Sequence, residues 1–285
     1  MDYQYIRTEQ VGRVRRLILD RPQVRNAQSR RLSEELNDAF LAAEADLDTG
    51  VVVLIGAGDH FSAGHDLGTP EELADRQARP PQEGLRGRYA RMYDLNIEMN
   101  LRWRSLKKPT IAAVHGYCIF AGWAIASACD IIFAGDDAMF LPTNFQYFSV
   151  PWDLGSRKAK EILFESRFLS GQEAHDLGFV NRVLPRADLD AEVMAYAARV
   201  AENDPFQLWM TKQAINQAED AQGFTAHIRD AFNLYVLSST GEADPDYGLR
   251  KPEGQRRRPM VQRALDNFAH YHPSEGADDD RSVKA

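Results

Sequence analysis

Two short stretches hold residues whose types and spacing could do chemistry. The first, Phe61-Ser62-Ala63-Gly64-His65-Asp66-Leu67, follows the apolar run Val51-Val52-Val53-Leu54-Ile55 across a short turn. The second, Phe120-Ala121-Gly122, follows an apolar run at 111–114 and the turn His115-Gly116, and leads into the apolar segment 123–128. A helix that opens at a glycine-containing turn leaves backbone N–H groups unused in its first turn. Those donors, with the positive end of the helix dipole, can hold an anion or a developing oxyanion. Taken alone, the second stretch reads more simply as a buried helix packed through small residues. Gly64 gives the first turn a backbone conformation closed to other residues.

The elements that must position these turns follow from periodicity. Residues 3–7 and 14–19 read as a hairpin around Val11-Gly12-Arg13, stopped at Pro22. Ser29 is placed to cap a helix whose apolar side is Leu32, Leu36, Ala39, Phe40 and Ala43, ending near Asp46. The run 51–55 suits a central strand covered on both faces. Asp66 is expected to cap a following helix. The polar stretch with Pro70, Pro80 and Pro81 reads as a surface segment covering a ligand, and 85–106 as helical. A buried strand is expected at 131–134 and an aromatic loop at 140–153. Helices are expected at 158–169, 174–183, 191–201, 206–217, 224–237 and 260–268. Strand, turn and helix thus alternate, with N–H groups presented at two of the turns.

The 285 residues can bury a sizeable core, and 44% are hydrophobic, as in ordinary globular proteins. No apolar run reaches the length of a membrane span, and the N-terminal MDYQYIRTEQ lacks a signal core, so a cytoplasmic protein is expected. Cys118 and Cys129 lie in apolar surroundings, as buried thiols rather than a disulfide framework or a metal site. A net charge of −8 disfavours nucleic acid as the main partner but leaves room for a phosphorylated ligand.

Four ordered segments resemble the crotonase, or enoyl-CoA hydratase/isomerase, superfamily: LDRPQVRNAQS, VVVLIGAGDHFSAGHDL, KKPTIAAVHGYCIFAGWAIASACDIIFAGDDAMF and LSGQEAHDLGFVNRVLP. Four matches in order are far more specific than one short motif. The resemblance implies an α/β fold, a spiral of ββα units with a C-terminal helical region used in trimer assembly. It implies a core at 1–200 and a helical region with a polar tail at 201–285. It also implies an acyl-CoA substrate, with coenzyme A part of that substrate and no separate cofactor. Two backbone N–H groups would polarise the thioester carbonyl and stabilise an enolate: those of His65 and of Ala121, with Gly122 the alternative to Ala121. Arg25, Ala63 and Gly64 correspond to contacts for the coenzyme A portion. A homotrimer or hexamer is implied.

The departures bear on the reaction. The two glutamates that handle water and proton in hydratases of this family would fall at Ala124 and Asn144, and neither can titrate near neutral pH. The glycine-rich stretch that follows is contracted to Pro151-Trp152-Asp153-Leu154-Gly155, which sets Asp153 where some relatives carry a catalytic aspartate. Tyr147, Phe148 and Trp152 suggest a bulky apolar pocket for the acyl group, and beside them the Asp153 pKa should rise, which suits acid–base work; Asp153 would equally cap a helix beginning near Ser156. The arginines at 256–258 fit a solvated charge run, or a reach toward a neighbour's ligand. Three functions remain open: a CoA-thioester lyase or isomerase in fatty-acid or cyclic acyl-CoA breakdown, a thioester hydrolase or dehalogenase using Asp153, and a non-catalytic acyl-CoA binder.

Overall fold

The computed structural model describes residues 2–80, 82–142, 145–240 and 259–272. Strands β1 (Ile6–Val11) and β2 (Val14–Leu19) form the antiparallel hairpin. Ser29 then caps α1 (Arg30–Ala45), its hydroxyl accepting the Leu32 N–H, and the helix ends at Asp46 as expected. Strand β3 (Val51–Gly56) lies between β2 and β4 (Thr110–Val114), parallel to both. Its six residues are all buried. Val52 and Leu54 face the main core with α1, while Val51, Val53 and Ile55 face α9 (Leu189–Ala201). That is the two-sided burial that a continuous apolar run requires. Strands β6 (Ile131–Gly135) and β9 (Arg182–Leu184) complete a six-stranded sheet in the order β1-β2-β3-β4-β6-β9.

A second sheet joins β5 (Tyr117–Ile119), β7 (Met139–Leu141) and β8 (Leu169–Ser170). Successive strands therefore alternate between sheets: β4 to the large one and β5 to the small, then β6 and β7 likewise. Helix α5 (Ala121–Ser127) follows the first pair, and α6 (Val150–Leu154) with α7 (Ser156–Glu165) the second. This is the ββα spiral that the resemblance implies. Helices α10 (Pro205–Ala221), α11 (Phe224–Ser238) and α12 (Pro259–Tyr271) close the C-terminal side.

Several local expectations are corrected. The polar stretch after Asp66 folds into α2 (Pro70–Ala78) and α3 (Gly84–Tyr93), followed by a π-helical turn at Asp94–Glu98 and by α4 (Met99–Arg104). Charged side chains rather than an apolar stripe hold α2 in place: Glu72 accepts the Arg30 N–H at 2.9 Å and pairs with Arg76 at 2.7 Å. Part of the aromatic loop is β7 and α6. The helix expected at 174–183 stops early, as α8 (Gly171–Asp176), because the chain from Leu177 must turn to deliver β9 to the sheet.

Asp66 caps no helix; Thr69 caps α2. Asp66 instead meets Arg21, with Nη1 and Oδ2 2.8 Å apart and both side chains 1% exposed. Arg21 also donates to the Ala27 carbonyl at 2.7 Å and lies 4.7 Å from the Tyr5 ring centroid. Asp66 accepts from the N–H groups of Gly68 and Thr69 and from the Thr69 hydroxyl. Burial acts to raise the Asp66 pKa, but hydrogen bonds from Thr69, Arg21 and Gly68 outweigh it and hold the carboxyl below its ordinary value. The pair joins the end of β2 to the loop after β3. Removing one partner strands the other charge in the interior. Asp66→Ala should therefore lower stability by about 3–5 kcal/mol in urea titration at neutral pH. The wild-type contribution should fade in acid, as pH falls through the lowered Asp66 pKa. A loss below about 1 kcal/mol, the size of an exposed pair, would contradict this account.

Candidate functional site

Three segments meet at the C-terminal ends of β3 and β4. Ser62 runs beside β5: its N–H donates to the Tyr117 carbonyl at 2.9 Å, and its carbonyl accepts the Ile119 N–H at 3.0 Å. The chain at 25–28 clamps the other side. The Ala63 N–H donates to Arg25 O at 2.9 Å, the Gln28 N–H to Gly64 O at 2.7 Å, and the Asp66 N–H to Gln28 O at 3.0 Å. The Ser62 hydroxyl sits at the junction, donating to Asn26 O at 2.9 Å and accepting from Gly64 N–H and Gln28 Nε2, each at 3.2 Å. Asn26 in turn accepts from the Arg21 N–H and donates to the carbonyls of Ala57 and His60.

Two glycines let the turns touch. A Cβ on Gly64, whose φ is +87°, would lie 2.7 Å from Ile119 O. A Cβ on Gly122 would lie 2.8 Å from Ser62 O. Between them Phe120 has φ +48° and ψ −100°, outside the regions an L-residue ordinarily occupies. Its N–H donates to Leu141 O at 2.8 Å, and its ring packs on a cluster of Ile119, Leu141, Phe168, Ala264 and Phe268. Ala121 opens α5, so its N–H has no acceptor within the helix. Among the described residues, neither the Ala121 N–H nor the His65 N–H is hydrogen-bonded. The arrangement thus offers two unused donors on turns in contact.

The side chains divide into two groups. His65, Gly64, Ala63, Arg25, Ala121 and Gly122 come together around the turns. The His65 Nε2 contacts Gln146 Oε1. Burial lowers the His65 pKa, with the Gln146 hydrogen bond acting the other way, so the ring is neutral near pH 7. Gln146 was not singled out in the sequence; it stands in a loop after β7, with no periodicity to mark it. Arg25 is exposed, with φ +54°, and its side chain has no partner among the described residues.

Asp153, Tyr147 and Trp152 form the second group, of which Asp153 packs against α5. Trp123 and Ser127, four apart and therefore on one helix face, both donate to the Asp153 carboxylate, at 2.8 Å from Nε1 and 3.1 Å from Oγ. Ser149 Oγ donates at 2.7 Å. Burial raises the Asp153 pKa, opposed by these three hydrogen bonds. Asp153 stands inside α6 and is not the cap of α7; that position is Gly155. Tyr147 is fully buried, its hydroxyl unpartnered among the described residues and its pKa pushed up by burial. Trp152 donates to His227 Nδ1 at 3.0 Å and packs edge-on against Phe224. Both aromatics pack on Phe224 of α11. Asn144 and the arginines at 256–258 lie outside the described residues.

A sequence profile of the family described as enoyl-CoA hydratase/isomerase matches residues 9–248. The chain belongs to that family, within the crotonase superfamily. It is 36% identical over 93% of its length, and 92% of the relative's, to EchA13 of Mycobacterium tuberculosis, whose name assigns it provisionally as an enoyl-CoA hydratase. The crystal structure of a probable enoyl-CoA hydratase from Mycobacterium smegmatis superposes with a TM-score of 0.75 at 38% identity, covering 82% of this chain and 93% of that one. An enoyl-CoA hydratase/isomerase from Xanthobacter autotrophicus Py2 does so with a TM-score of 0.74 at 32% identity, over 84% and 88%.

In this enoyl-CoA hydratase/isomerase family member, two further histidines brace the strand ends beneath the turns. His60 Nδ1 accepts the Tyr117 N–H at 3.1 Å, and His115 Nε2 lies 3.0 Å from Gly58 O. Burial, aided by Arg25 for His60 and by Arg186 for His115, lowers both pKa values to about 4. The unfolded chain, with ordinary histidines, binds more protons than the native state between pH 4 and 6.5. Stability should therefore be full above about pH 6.5 and fall toward pH 4, His115 alone accounting for something on the order of 3 kcal/mol. Urea midpoints measured at pH 7, 6 and 5 test this. A flat profile, or one rising in acid, would refute it.

Proposed function

We propose that the protein acts on acyl-CoA thioesters, holding the thioester oxygen between the His65 and Ala121 N–H groups and stabilising the enolate that forms. The supporting observation is that pair of unused donors, on turns kept in contact by Gly64 and Gly122. An enolate concentrates negative charge on one oxygen, so fixed donors there lower the barrier more than they strengthen ground-state binding. Coenzyme A enters as part of the substrate. Arg25, joined through its carbonyl to Ala63, offers its free guanidinium to a phosphate of that substrate.

The acid–base group is the departure from ordinary hydratases. Ala124 is buried and apolar. The neutral, desolvated His65 ring is a weak base. Asp153, on α6, is the carboxyl held against α5, oriented by three neutral donors and by no ion pair among the described residues. We assign it the proton transfer in a lyase or isomerase reaction of fatty-acid or cyclic acyl-CoA breakdown. The same orientation, with the carboxylate held by Trp123, Ser127 and Ser149, favours a second reading in which Asp153 attacks as a nucleophile in hydrolysis or dehalogenation. General acid–base assistance contributes about 10²–10⁴-fold per group. Crotonyl-CoA should therefore be hydrated slowly, and turnover of a bulkier thioester should fall by about 10²-fold or more in Asp153→Asn. Calorimetry with butyryl-CoA and mass spectrometry of a thioester series measure both. Ordinary hydratase rates on crotonyl-CoA, unchanged in Asp153→Asn, would sink the assignment. Binding without turnover of any thioester would favour an acyl-CoA binder.

Assembly as a trimer or a dimer of trimers completes the reading. Helices α10 and α11 expose Phe206, Met210, Ile215, Leu234 and Leu237, more apolar surface than two outer helices ordinarily carry. No described helix is long and apolar enough to cross a membrane, and we place the enzyme in the cytoplasm. Sedimentation at micromolar concentration should give three or six subunits; a monomer would exclude this assembly.

A further inference from the structure

Arg91, on α3, stands apart from the other charges around it. It lines a cleft of about 350 Å³ with Arg30, Glu34, Asp94 and Leu95, between the start of α1 and the end of α3. The neighbouring acids are engaged by other arginines, with only Asp75 Oδ2 left without a hydrogen bond. Glu34 pairs with Arg30 at 3.0 Å and with Arg79 at 2.8 Å, Glu72 pairs with Arg76 at 2.7 Å, and Asp75 pairs with Arg79. Asp94, three residues from Arg91, is exposed and forms no ion pair with it. Among the described residues Arg91 has neither a hydrogen bond nor an ion pair, and its Nη1 is shut off from solvent without a partner. A guanidinium nitrogen shut off from solvent without a hydrogen bond is unfavourable; burial first, then the charges of Arg76 and Arg30, lower the Arg91 pKa against the opposing pull of Glu72 and Asp75. The planar fork of a guanidinium matches a carboxylate bidentately.

We propose that this cleft binds a carboxylate, with Arg91 as its cationic partner. Its position ties it to the donor turns. Arg30, on the cleft wall, is two residues from Gln28, which bonds the Gly64 carbonyl, and the Arg30 N–H is held by Glu72. The carboxylate comes either from the far end of the acyl group of a thioester or from a free dicarboxylic acid. The first source rests on the proposed acyl-CoA function; the second does not.

The test is calorimetry of butyryl-CoA, glutaryl-CoA and glutarate with the wild type, Arg91→Gln and Arg91→Lys. A charged hydrogen-bonded contact is worth about 1.5–3 kcal/mol, or roughly ten- to a hundredfold in affinity. If the carboxylate belongs to the thioester, the wild type should prefer glutaryl-CoA to butyryl-CoA by about that factor, and Arg91→Gln should bring the ratio toward one, with Arg91→Lys between. If it is a free acid, glutarate alone should bind and Arg91→Gln should abolish that binding. Either result supports the site. Butyryl-CoA binding by the wild type reports separately on the acyl-CoA reading. Removing an unpaired buried cation should also leave Arg91→Gln at least as stable as wild type in urea, so loss of folding cannot mimic loss of the site. Equal ratios in wild type and Arg91→Gln, with no glutarate binding, would overturn the proposal.

Discussion

Everything at the donor turns depends on backbone approaching backbone at van der Waals distance. The Ser62 carbonyl and the Gly122 Cα are so close that one methyl group would not fit, and the same holds for Gly64 against Ile119. Parallel strands fan their C-terminal ends toward different loops, and those loops ordinarily keep apart. Here a strand-like pairing of Ser62 with β5, the clamp at 25–28 and the Arg21–Asp66 pair all pull the loops after β3 and β4 into one another. The large sheet supplies the base, and the small sheet sets the direction. Without the second sheet, Ser62 would have no edge to join, and the two N–H groups would have no fixed relation.

Helix α5 joins one of the donors to a buried carboxyl. On the helix that opens at the second turn, Ala124 is buried and apolar. The titratable carboxyl, Asp153, is held along one face of α5, by Trp123 in its first turn and Ser127 at its end. A helix of seven residues thus carries a donor at its start and grips a carboxylate near its end. The two are linked by a rigid element whose neighbours, Phe179 and Phe140, pack on the Trp123 ring. Burial alone would push Asp153 toward its neutral form; three donors resist it. The net effect is a carboxyl raised above its ordinary value.

Much of this was legible in the sequence wherever a local pattern and the tertiary structure agree. The apolar run at 51–55 had to be a two-sided strand, Ser29 had to cap α1, and the paired glycine turns stood out with their flanking motifs. What was hidden has a common cause. Strands β5, β7 and β8 are two or three residues long, too short for any alternation to appear, and they form only because partners from elsewhere offer an edge. Helix α2 looked like a loop because its stabilisation is ionic. Asp66 looked like a cap because its true partner, Arg21, is 45 residues away. Gln146 had no local signature at all. The packing of Tyr147 and Trp152 on Phe224 of α11 likewise had no local signature.

The packing behind Phe120 has a consequence for the order in which the protein matures. The residue sits in an unfavourable backbone region, and part of the apolar cluster under its ring, Ala264 and Phe268, comes from α12. During synthesis the two turns leave the ribosome long before that helix exists. A nascent chain can complete both sheets and still lack the wedge that keeps Phe120 in place. The support beneath Phe120 is therefore complete only after α12 has been synthesised.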